Sequence, residues 1–549
     1  MGIFCIFDLK FKVQSSRFKK NTIFANQFGD KQKSINMKKV LLSAIFMAFV
    51  TCVFAQSATL TNPEPNWLNK HLLSGTPIGQ DDENLYYLFY SHPVTMIKPK
   101  SYTDHFYIVD KQSMHKTDIA VTTSNLHTPL DGIVSGNGII ALYESLTKKG
   151  DQLTFTIANL DKSDKAVTLG SDNSVTTTAN PKFWPDIKIA KSPNGKLLAA
   201  VAVITGKNSQ LENMFAVVVN NEGEFVWNGT LTPQFGGKSF SIGDLVVDNN
   251  GVLYLPAYTC QVNGKNISDV HFMMIKSTDG NTETFTEGVN FGTPQDFTAK
   301  MLSNGNVVVA GYYTEAKTNT VTNSNGYYFY TFDTGSDNFS DVRNFKFSEG
   351  YVEKAAWARF SNILGNQQYS IKAGNIFELE NGSVVLCGEH RFVKAIYDPN
   401  MKSWSYQMLT KNILVSTLQP DGSANFTMVE KQQSAGSSVN PGEKSWINHF
   451  ISYSAFAHHN DLYFLFTDDH RNVPYPGQGV VCGISGLKFK GDKWADVMMR
   501  LTPDQKLTQK VVTDPKQLLR VVEFFDGEHY YTSGIGQKEY FLTKFSLDF

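Results

Sequence analysis

The sequence predicts an all-β protein, a single β-propeller of seven or eight four-stranded antiparallel blades, and three observations support this prediction. A Gly/Asn turn followed by an apolar, β-branched and aromatic strand recurs about eight times, most clearly at 192–203, 248–259, 303–314 and 380–392. A second hairpin signature follows each copy closely. The early turns are spaced by about 53 to 57 residues, which is the regularity of a repeat.

The turns that begin each unit lie near residues 84, 137, 194, 250, 305, 381, 460 and 526. Gly, Asn and Asp dominate there because tight hairpins require positive φ. The second hairpins are clear at 213–231, 270–288, 327–345, 413–431 and 483–501, and weaker at 105–122 and 153–169. Two hairpins in tandem form one blade, so the direct count is eight. The alternative is a long β-sandwich or two stacked β domains, which the spacing and the lack of a linker disfavour.

The last unit, 518–534 with 540–549, lacks a fourth strand. An open ring would leave exposed strand edges, so we expect an N-terminal strand from within 57–75 to complete this blade and close the ring. Connections in a meander alternate between its two ends. The tight turns should therefore share one face, here named the tight-turn face, and the longer connections the other, the link face. Loops on rigid scaffolds commonly carry function.

Residues 37–56 have the three parts of a secretory signal. Lys38 and Lys39 form the charged start, an apolar run follows at 40–50, and 53–55 is a small-residue cleavage site. The run is too short to span a bilayer, and its flanks disfavour a buried core helix. We therefore expect a non-native upstream extension at 1–36, a signal peptide at 37–55 and the propeller at 56–549.

This N-terminal signal predicts Sec-type export to the periplasm, the outer membrane or the exterior. Lipidation at Cys52 stays open, although the residues before it match a lipoprotein signal poorly. The exported chain would carry a net charge of −8, because residues 1–55 hold nine of the 50 basic and two of the 51 acidic residues. A mildly acidic chain without a basic run lacks the electrostatic footprint of a nucleic-acid binder and the basic surface that an anionic membrane attracts.

Three cysteines follow the signal: Cys260, Cys387 and Cys482. An odd, widely spaced set is not a disulfide framework, and Cys387 lies in a core-strand context. No CxxC occurs, so neither a structural zinc site nor another metal or cofactor is predicted. The sequence also lacks a GxSxG elbow, an HExxH motif, a phosphate-binding glycine loop and an EF-hand loop.

Two connections on the predicted link face begin alike. Blade six ends its second strand with Glu389-His390-Arg391, and blade seven with Asp468-Asp469-His470-Arg471. Because the blades are adjacent, these clusters should lie near one another. Carboxylates beside His and Arg serve acid/base catalysis, metal binding or anion binding. The simpler interpretation is a solvated loop start with local ion pairs. By contrast, His458-His459 lies at the opposite end of the strand, as an exposed turn.

The candidate catalytic residues are Glu389, His390, Asp468, Asp469 and His470, and the candidate ligand-binding residues are Arg391, Arg471, Trp184 and Trp357. Aromatic side chains on an open face suit sugar or peptide stacking, although a single tryptophan is more often an anchor between two blades. Trp357 lies in 351–365, a segment of helical composition ended by Gly365. This segment would be a lid, a partner contact or a packing element.

The segment PDIKIAKSPNGKLLAAVAV (185–203) resembles the blade motif of TolB-like propellers. That resemblance covers one blade and implies a fold, without an activity. Residues 277–282 are similar to the conserved turn of sialidase-type propellers, but Gly280 comes one position early, and a plain β-turn explains them.

Two functions remain open at this stage. The leading hypothesis is an exported binding or scaffold module that acts on protein or glycan through the link face. The alternative is a carbohydrate-active hydrolase or lyase with carboxylates at the mouth of the channel. Facing carboxylates within ~10 Å would favour the enzyme, whereas a face without convergent acids would favour binding.

Overall fold

The computed structural model describes seventeen segments of the chain. They are residues 74–90, 101–124, 127–136, 138–147, 151–169, 173–178, 185–205, 211–235, 238–316, 324–347, 370–398, 403–437, 452–473, 484–485, 494–512, 518–535 and 540–546. Within them, eight β-sheets account for all the strands, and the short 3-10 helix His470–Asn472 is the one helical element. The prediction of an all-β protein is confirmed.

The first four sheets follow one another along the chain as antiparallel meanders, with small additions. Blade 1 contains β1 (Ser74–Gln80), β2 (Asn84–Tyr90), β3 (Ser101–Asp110) and β4 (Lys116–Ser124). Blade 2 contains β5 (His127–Ser135), β6 (Gly138–Leu146), β7 (Gln152–Asp161) and β9 (Ser174–Thr178). Between β7 and β9, the short strand β8 (Ala166–Thr168) pairs in parallel with β4 of blade 1. Blade 3 contains β10 (Asp186–Lys191), β11 (Leu197–Thr205), β12 (Leu211–Asn220) and β13 (Phe225–Leu231). Blade 4 has a first strand in two pieces, β14 (Ser239–Ile242) and β15 (Val246–Val247), then β16 (Leu253–Asn263), β17 (Asn266–Thr278) and β18 (Asn281–Gly288).

The remaining four sheets repeat this order with one enlargement. Blade 5 contains β19 (Thr293–Met301), β20 (Val307–Thr314), β21 (Gly326–Asp333) and β22 (Asn338–Lys346). Blade 6 contains β23 (Ser370–Glu378), the long hairpin β24 (Val384–Asp398) and β25 (Ser403–Leu418), then β26 (Ala424–Val429) and β27 (Gln433–Ser437). Blade 7 contains β28 (Ser454–His458), β29 (Asp461–Asp469), β31 (Trp494–Leu501) and β32 (Leu507–Val511), while β30 (Ile484–Ser485) pairs in parallel with β27. Blade 8 contains β33 (Leu518–Phe525), β34 (Tyr530–Ile535) and β35 (Tyr540–Phe545). Of the seven or eight blades predicted, the structure has eight.

The repeated turn folds as its composition predicts. In blade 3, Gly195 takes a φ of 68° and donates its amide to the Ser192 carbonyl at 2.8 Å, which closes the turn before β11. The two-residue turn between β17 and β18 uses Asp279 and Gly280, both at positive φ, so the sialidase-like segment is a plain hairpin turn. The second strand of blade 3 is a continuous apolar run because sheets cover both of its faces, and this strand, β11, is buried from Leu197 to Ile204.

The first strands of the eight sheets contact one another in a closed cycle. Along it, β1 contacts β5, and contacts continue through β10, β15, β19, β23, β28 and β33 back to β1. The fourth strands of blades 3 and 5, β13 and β22, are alternately exposed to solvent. The sheets are therefore arranged radially, with each first strand next to a common axis and each fourth strand outside, as in a propeller.

Eight buried apolar clusters hold this ring together, and each joins two successive blades. One of them joins blade 1 to blade 8, where the rings of Tyr87 and Phe524 meet edge to face with centroids 5.4 Å apart. Gln80 Nε2 also donates to the Phe525 carbonyl at 2.8 Å. The first and last blades thus pack directly through side chains.

The predicted closing strand stays a prediction. The described strand β1 belongs to blade 1 rather than to blade 8, and blade 8 has three described strands. Residues 57–73, the rest of the expected donor, lie outside the described residues.

Contacts between neighbouring turns show that the tight turns share a face. The Asn194 amide donates to Asn249 Oδ1 of the next blade at 3.0 Å, and the Asn381 amide donates to Asn460 Oδ1 at 2.8 Å. The opposite ends of the strands form the link face, but longer connections are not general there. Only two residues, 264–265, separate β16 from β17, and four residues separate β24 from β25.

The prediction that the second strand of blade 6 ends at Glu389-His390-Arg391 is wrong, because β24 pairs with β25 as far as Asp398 and Glu389 lies within it. In blade 7, Asp468 and Asp469 are the last two residues of β29, as predicted.

Several predictions concern residues outside the described part of the chain: the extension 1–36, the signal 37–55, the helical segment 351–365, Cys482 and both candidate tryptophans, Trp184 and Trp357. Within the described part, Cys260 and Cys387 are free and buried. No helix found there is long and apolar enough to cross a bilayer.

Candidate functional site

Several carboxylates on or beside the inner strands bind groups of the following blade. Three of them do so directly: Asp131 pairs with Lys191 Nζ at 2.9 Å, Asp244 accepts from Thr298 Oγ1 at 2.7 Å, and Asp296 accepts from the Ala373 amide at 2.7 Å. Each partner belongs to the next blade along the ring. These acids therefore tie neighbouring first strands together, which is a structural use of the groups that the enzyme hypothesis needs.

The strongest polar cluster lies in the crevice between blades 6 and 7, at the link face. Glu389, on β24, forms an ion pair with Lys431, whose Nζ lies 2.5 Å from Glu389 Oε1. The Lys431 side chain is fully buried and that of Glu389 is 5% exposed. Lys431 also donates to Thr410 Oγ1 at 3.2 Å and Gln433 Oε1 at 3.0 Å. Lys431 thus has two hydrogen-bond acceptors besides its ion-pair partner, and Ser452 Oγ donates to Glu389 Oε2 at 2.9 Å.

Burial lowers the pKa of Lys431, and the negative charge of Glu389 opposes this shift. A buried ion pair pays a large desolvation penalty, which only good geometry and further hydrogen bonds offset. Lys431 meets both conditions. Lys431 is not predictable from the sequence, because it lies just after the fourth strand of blade 6 and belongs to no recognisable motif.

Asp468 faces the same crevice from blade 7. It continues the alternation of Leu462, Phe464 and Phe466, which pack against blade 6, and its side chain is almost completely buried. Its Oδ1 accepts from the Asp469 amide at 2.8 Å and from Asn472 Nδ2 at 2.6 Å, whereas Oδ2 has no hydrogen-bond partner.

Burial raises the pKa of Asp468 to about 6, against the opposing effects of the Asn472 hydrogen bond and the Lys431 charge. The structure therefore brings Glu389 and Asp468 to one buried lysine, from the two sides of one crevice.

Asp469 has the opposite environment, although it is the next residue. It accepts from Arg471 Nε at 2.8 Å, from Arg471 Nη2 at 2.6 Å and from the Arg471 amide at 3.0 Å, and so caps the 3-10 helix. The Arg471 guanidinium holds the pKa of Asp469 below its usual value. The side chains of Arg471 and His470 are 60% and 53% exposed. The buried acid thus holds a cationic side chain on the link face.

His390 does not join this cluster, whereas the positive charge of Arg391 acts on Lys431 and contributes to lowering its pKa. His390 pairs across strands with Ile371, which packs on blade 5, so it lies on the other side of the blade 6 sheet from Glu389. Burial, with the charge of Lys411, lowers the pKa of His390 to about 3, and the imidazole is neutral at physiological pH. Arg391 is half-buried beside a bulge in the β24–β25 pairing.

His458 and His459 lie on the tight-turn face, as expected. His459 pairs with Glu380 at 2.8 Å, and His458 stacks edge-on against Phe525. Among the described residues, no group of three or more His, Cys, Asp or Glu side chains is arranged to hold a metal ion.

No protein-family model and no curated protein matches this chain. Similar solved structures include an ulvan lyase of a polysaccharide lyase family, at 8% identity over 83% of this chain and 96% of that chain, with a TM-score of 0.36. Another is the β-propeller domain of the Trilobed protease from Pyrococcus furiosus, at 11% identity over 69% of this chain and 96% of that chain, with a TM-score of 0.31. A third is a protein of unknown function from Bacteroides caccae, at 12% identity over 60% of this chain and 90% of that chain, with a TM-score of 0.25. At these TM-scores the likenesses carry no argument, and the propeller assignment depends on the eight sheets themselves.

Proposed function

We propose that this protein is an exported binding module whose link face takes an anionic ligand where blades 6 and 7 meet. One observation carries the proposal: Asp469 holds the exposed Arg471 through two side-chain hydrogen bonds, above the buried layer of Glu389, Lys431 and Asp468. The signal at 37–55 supports export, and the mildly acidic balance argues against a nucleic-acid partner.

The chemistry of the ligand follows from the guanidinium. Carboxylate and sulfate groups match its planar donors and form the strongest hydrogen bonds available to it. Since Asp469 and the 3-10 helix already fix the Arg471 side chain, binding costs less conformational entropy than it would for a mobile side chain. His470, on the same helix, adds a second polar group to the exposed surface. The acidic group would be carried by a glycan or by a protein.

An enzymatic role as a hydrolase or lyase has one supporting observation, the raised pKa and unpartnered Oδ2 of Asp468. Two observations weigh against it. Asp468 is only 1% exposed, so a substrate does not reach its carboxyl in this conformation. The inner-strand acids Asp131, Asp244 and Asp296 are each bound by the next blade. Binding is therefore the better supported function.

The test is a titration of the exported chain against neutral, uronate-bearing and sulfated oligosaccharides and acidic peptides. We expect affinity for an acidic member of this set, and Arg471→Ala should weaken it about tenfold or more, as expected for charge-assisted hydrogen bonds. Arg500→Ala is the matched control, because Arg500 forms a similar pair with Asp461, at 2.6 Å, on the tight-turn face of the same blade. Equal affinity of wild type and Arg471→Ala would refute the assignment.

The panel also separates the sources of the acidic group. Binding of the oligosaccharides alone identifies a glycan ligand, and binding of the peptides alone identifies a protein ligand. Release of shorter sugars by the wild type, abolished in Asp468→Ala and Glu389→Ala, would favour the enzyme instead.

A further inference from the structure

A second polar layer lies at the link end of the crevice between blades 1 and 2. It contains three oxygen atoms without a hydrogen-bond partner: Asp104 Oδ2, Thr123 Oγ1 and the Tyr143 hydroxyl. Their residues are 3%, 2% and 0% exposed. Buried polar groups in proteins are almost always hydrogen-bonded, so three orphans at one place require an explanation.

The three side chains face one another across a single crevice. Phe106 and Ile108 on β3 and Val121 on β4 pack against blade 2. Because side chains alternate along a strand, Asp104 and Thr123 lie on the same side of the sheet as these residues. Tyr143, on β6, packs against blade 1 in the same cluster. Asp104 pairs directly with Val121, and Thr123 is two residues further along the strand, or ~6.6 Å.

The crevice between blades 6 and 7 shows what fills such a layer elsewhere in this ring. Lys431 comes two residues after the core residue Val429, just past the fourth strand, and Thr123 comes two residues after the core residue Val121 on its own fourth strand. Lys431 brings an ammonium group to oxygen atoms of a carboxylate, a hydroxyl and an amide. Thr123 is too short to do so.

The crevice between blades 1 and 2 therefore has buried oxygen atoms like those around Lys431, but Thr123 brings no ammonium group to them. No lysine or arginine of the described chain pairs with Asp104, and the neighbouring His105 is bound to Asp118 at 2.9 Å. Burial raises the pKa of Asp104 to about 7, and that of Tyr143 is raised by burial and by the Asp104 charge. An uncompensated buried carboxylate is costly, and a cation would offset that cost.

We propose that a monovalent cation, such as K⁺, Na⁺ or NH₄⁺, binds between blades 1 and 2 on the oxygen atoms of Asp104, Thr123 and Tyr143. Oxygen ligands alone favour hard cations over transition metals. A single carboxylate balances a single positive charge, whereas divalent calcium sites draw on several acidic side chains. The ion does in this crevice what the Lys431 ammonium does between blades 6 and 7. The site lies three blades away from the proposed ligand site by the shorter way round the ring and does not depend on it.

The experiment compares melting temperatures in KCl, NaCl, NH₄Cl and tetramethylammonium chloride at equal ionic strength. For the wild type, we expect Tm to rise by about 1–3 °C as one of the small cations replaces tetramethylammonium, with saturation. Asp104→Asn should lose this dependence. Thr123→Lys should lose it as well and show a Tm at least that of the ion-loaded wild type, because its own ammonium occupies the site.

Asp118→Asn is the matched control, since it removes an exposed acid from the same pair of strands and should keep the dependence. A wild-type Tm that is the same in all four salts would refute the proposal. So would a loss of the dependence in Asp118→Asn equal to that in Asp104→Asn, which would indicate general surface electrostatics. If Thr123→Lys does not fold, Asp104→Asn still decides the outcome.

Crystals soaked in rubidium or thallium(I) salts give a direct readout. An anomalous peak beside Asp104 in the wild type, absent in Asp104→Asn, locates the ion. Its absence from the wild type at concentrations that saturate the Tm effect would overturn the assignment of these ligands.

Discussion

Lys431 Nζ lies 2.5 Å from Glu389 Oε1, and both side chains are withdrawn from solvent between blades 6 and 7. This pair couples the second strand of one blade to the segment that leaves its fourth strand, and Asp468 of the next blade adds its charge to the same lysine. The buried layer therefore orders the end of β29, which leads directly into the 3-10 helix of His470 and Arg471.

We expect the removal of either partner of this pair to be strongly destabilising. Glu389→Gln or Lys431→Met should each cost about 3–5 kcal/mol, because each leaves an uncompensated buried charge. The double variant should cost clearly less than the sum of the two. A double-mutant cycle by denaturant unfolding measures the coupling, and additive effects would contradict a direct interaction.

Asp468 predicts a pH dependence of stability with a definite sign. Its pKa of about 6 in the folded chain lies above the ordinary value of 3.8, so between these values the folded state binds the proton more readily than the unfolded state. This contribution to stability is present below about pH 4, declines as the pH rises towards 6, and is absent above 6. Its full size is about 3 kcal/mol.

The variant Asp468→Asn isolates this effect. Its amide oxygen can still accept from Asn472, but it does not titrate. The difference in unfolding free energy between variant and wild type should therefore shift in favour of the variant as the pH rises from 4 to 6, and remain constant from 6 to 8. Parallel curves for the two proteins would show that Asp468 does not titrate in this range.

Export predicts a defined mature end. Expression with residues 37–55 in a Gram-negative host should yield a periplasmic or secreted chain whose first residue is Gln56. Cell fractionation with N-terminal sequencing measures this, and Lys38→Glu/Lys39→Glu should reduce export. A chain retained in the cytoplasm with residues 37–55 intact would contradict the signal, whereas a lipid-modified Cys52 would replace simple cleavage by anchoring.

The closing strand is tested by truncation. If residues 57–73 supply the fourth strand of blade 8, a chain beginning at Ser74 should melt at a lower temperature than one beginning at Gln56 and aggregate more readily through its exposed edge. Light scattering and circular dichroism on both chains provide the comparison. Equal Tm values would mean that the packing of Tyr87 on Phe524 closes the ring without that strand.

Much of the fold was predictable because the same local signals recur along the chain, most regularly in its first half. The turn at Gly195 and the apolar run after it carry their structure in adjacent residues, and eight copies leave little freedom of interpretation. The site was predictable only where its residues interrupt an apolar run, as Glu389 and Asp468 do, although both lie within strands and not after them. Lys431 is 42 residues from Glu389 and carries no motif, so only the pairing of strands reveals it.

Neighbouring residues also separate in ways that composition does not show. Asp468 and Asp469 look alike in the sequence, yet alternation along β29 sends one into the crevice and leaves the other to Arg471. Their pKa values consequently move in opposite directions. His390, next to Glu389, lies on the far side of its sheet for the same reason.

Each buried apolar cluster of this ring joins only two successive blades, so a change confined to one crevice leaves the apolar packing among the other six blades unaltered. The residue two positions after the core valine of the fourth strand can therefore vary from blade to blade. It is Lys431 between blades 6 and 7, and Thr123 between blades 1 and 2. Substitutions at this position offer a way for duplicated blades to acquire different buried charges while the propeller fold is retained.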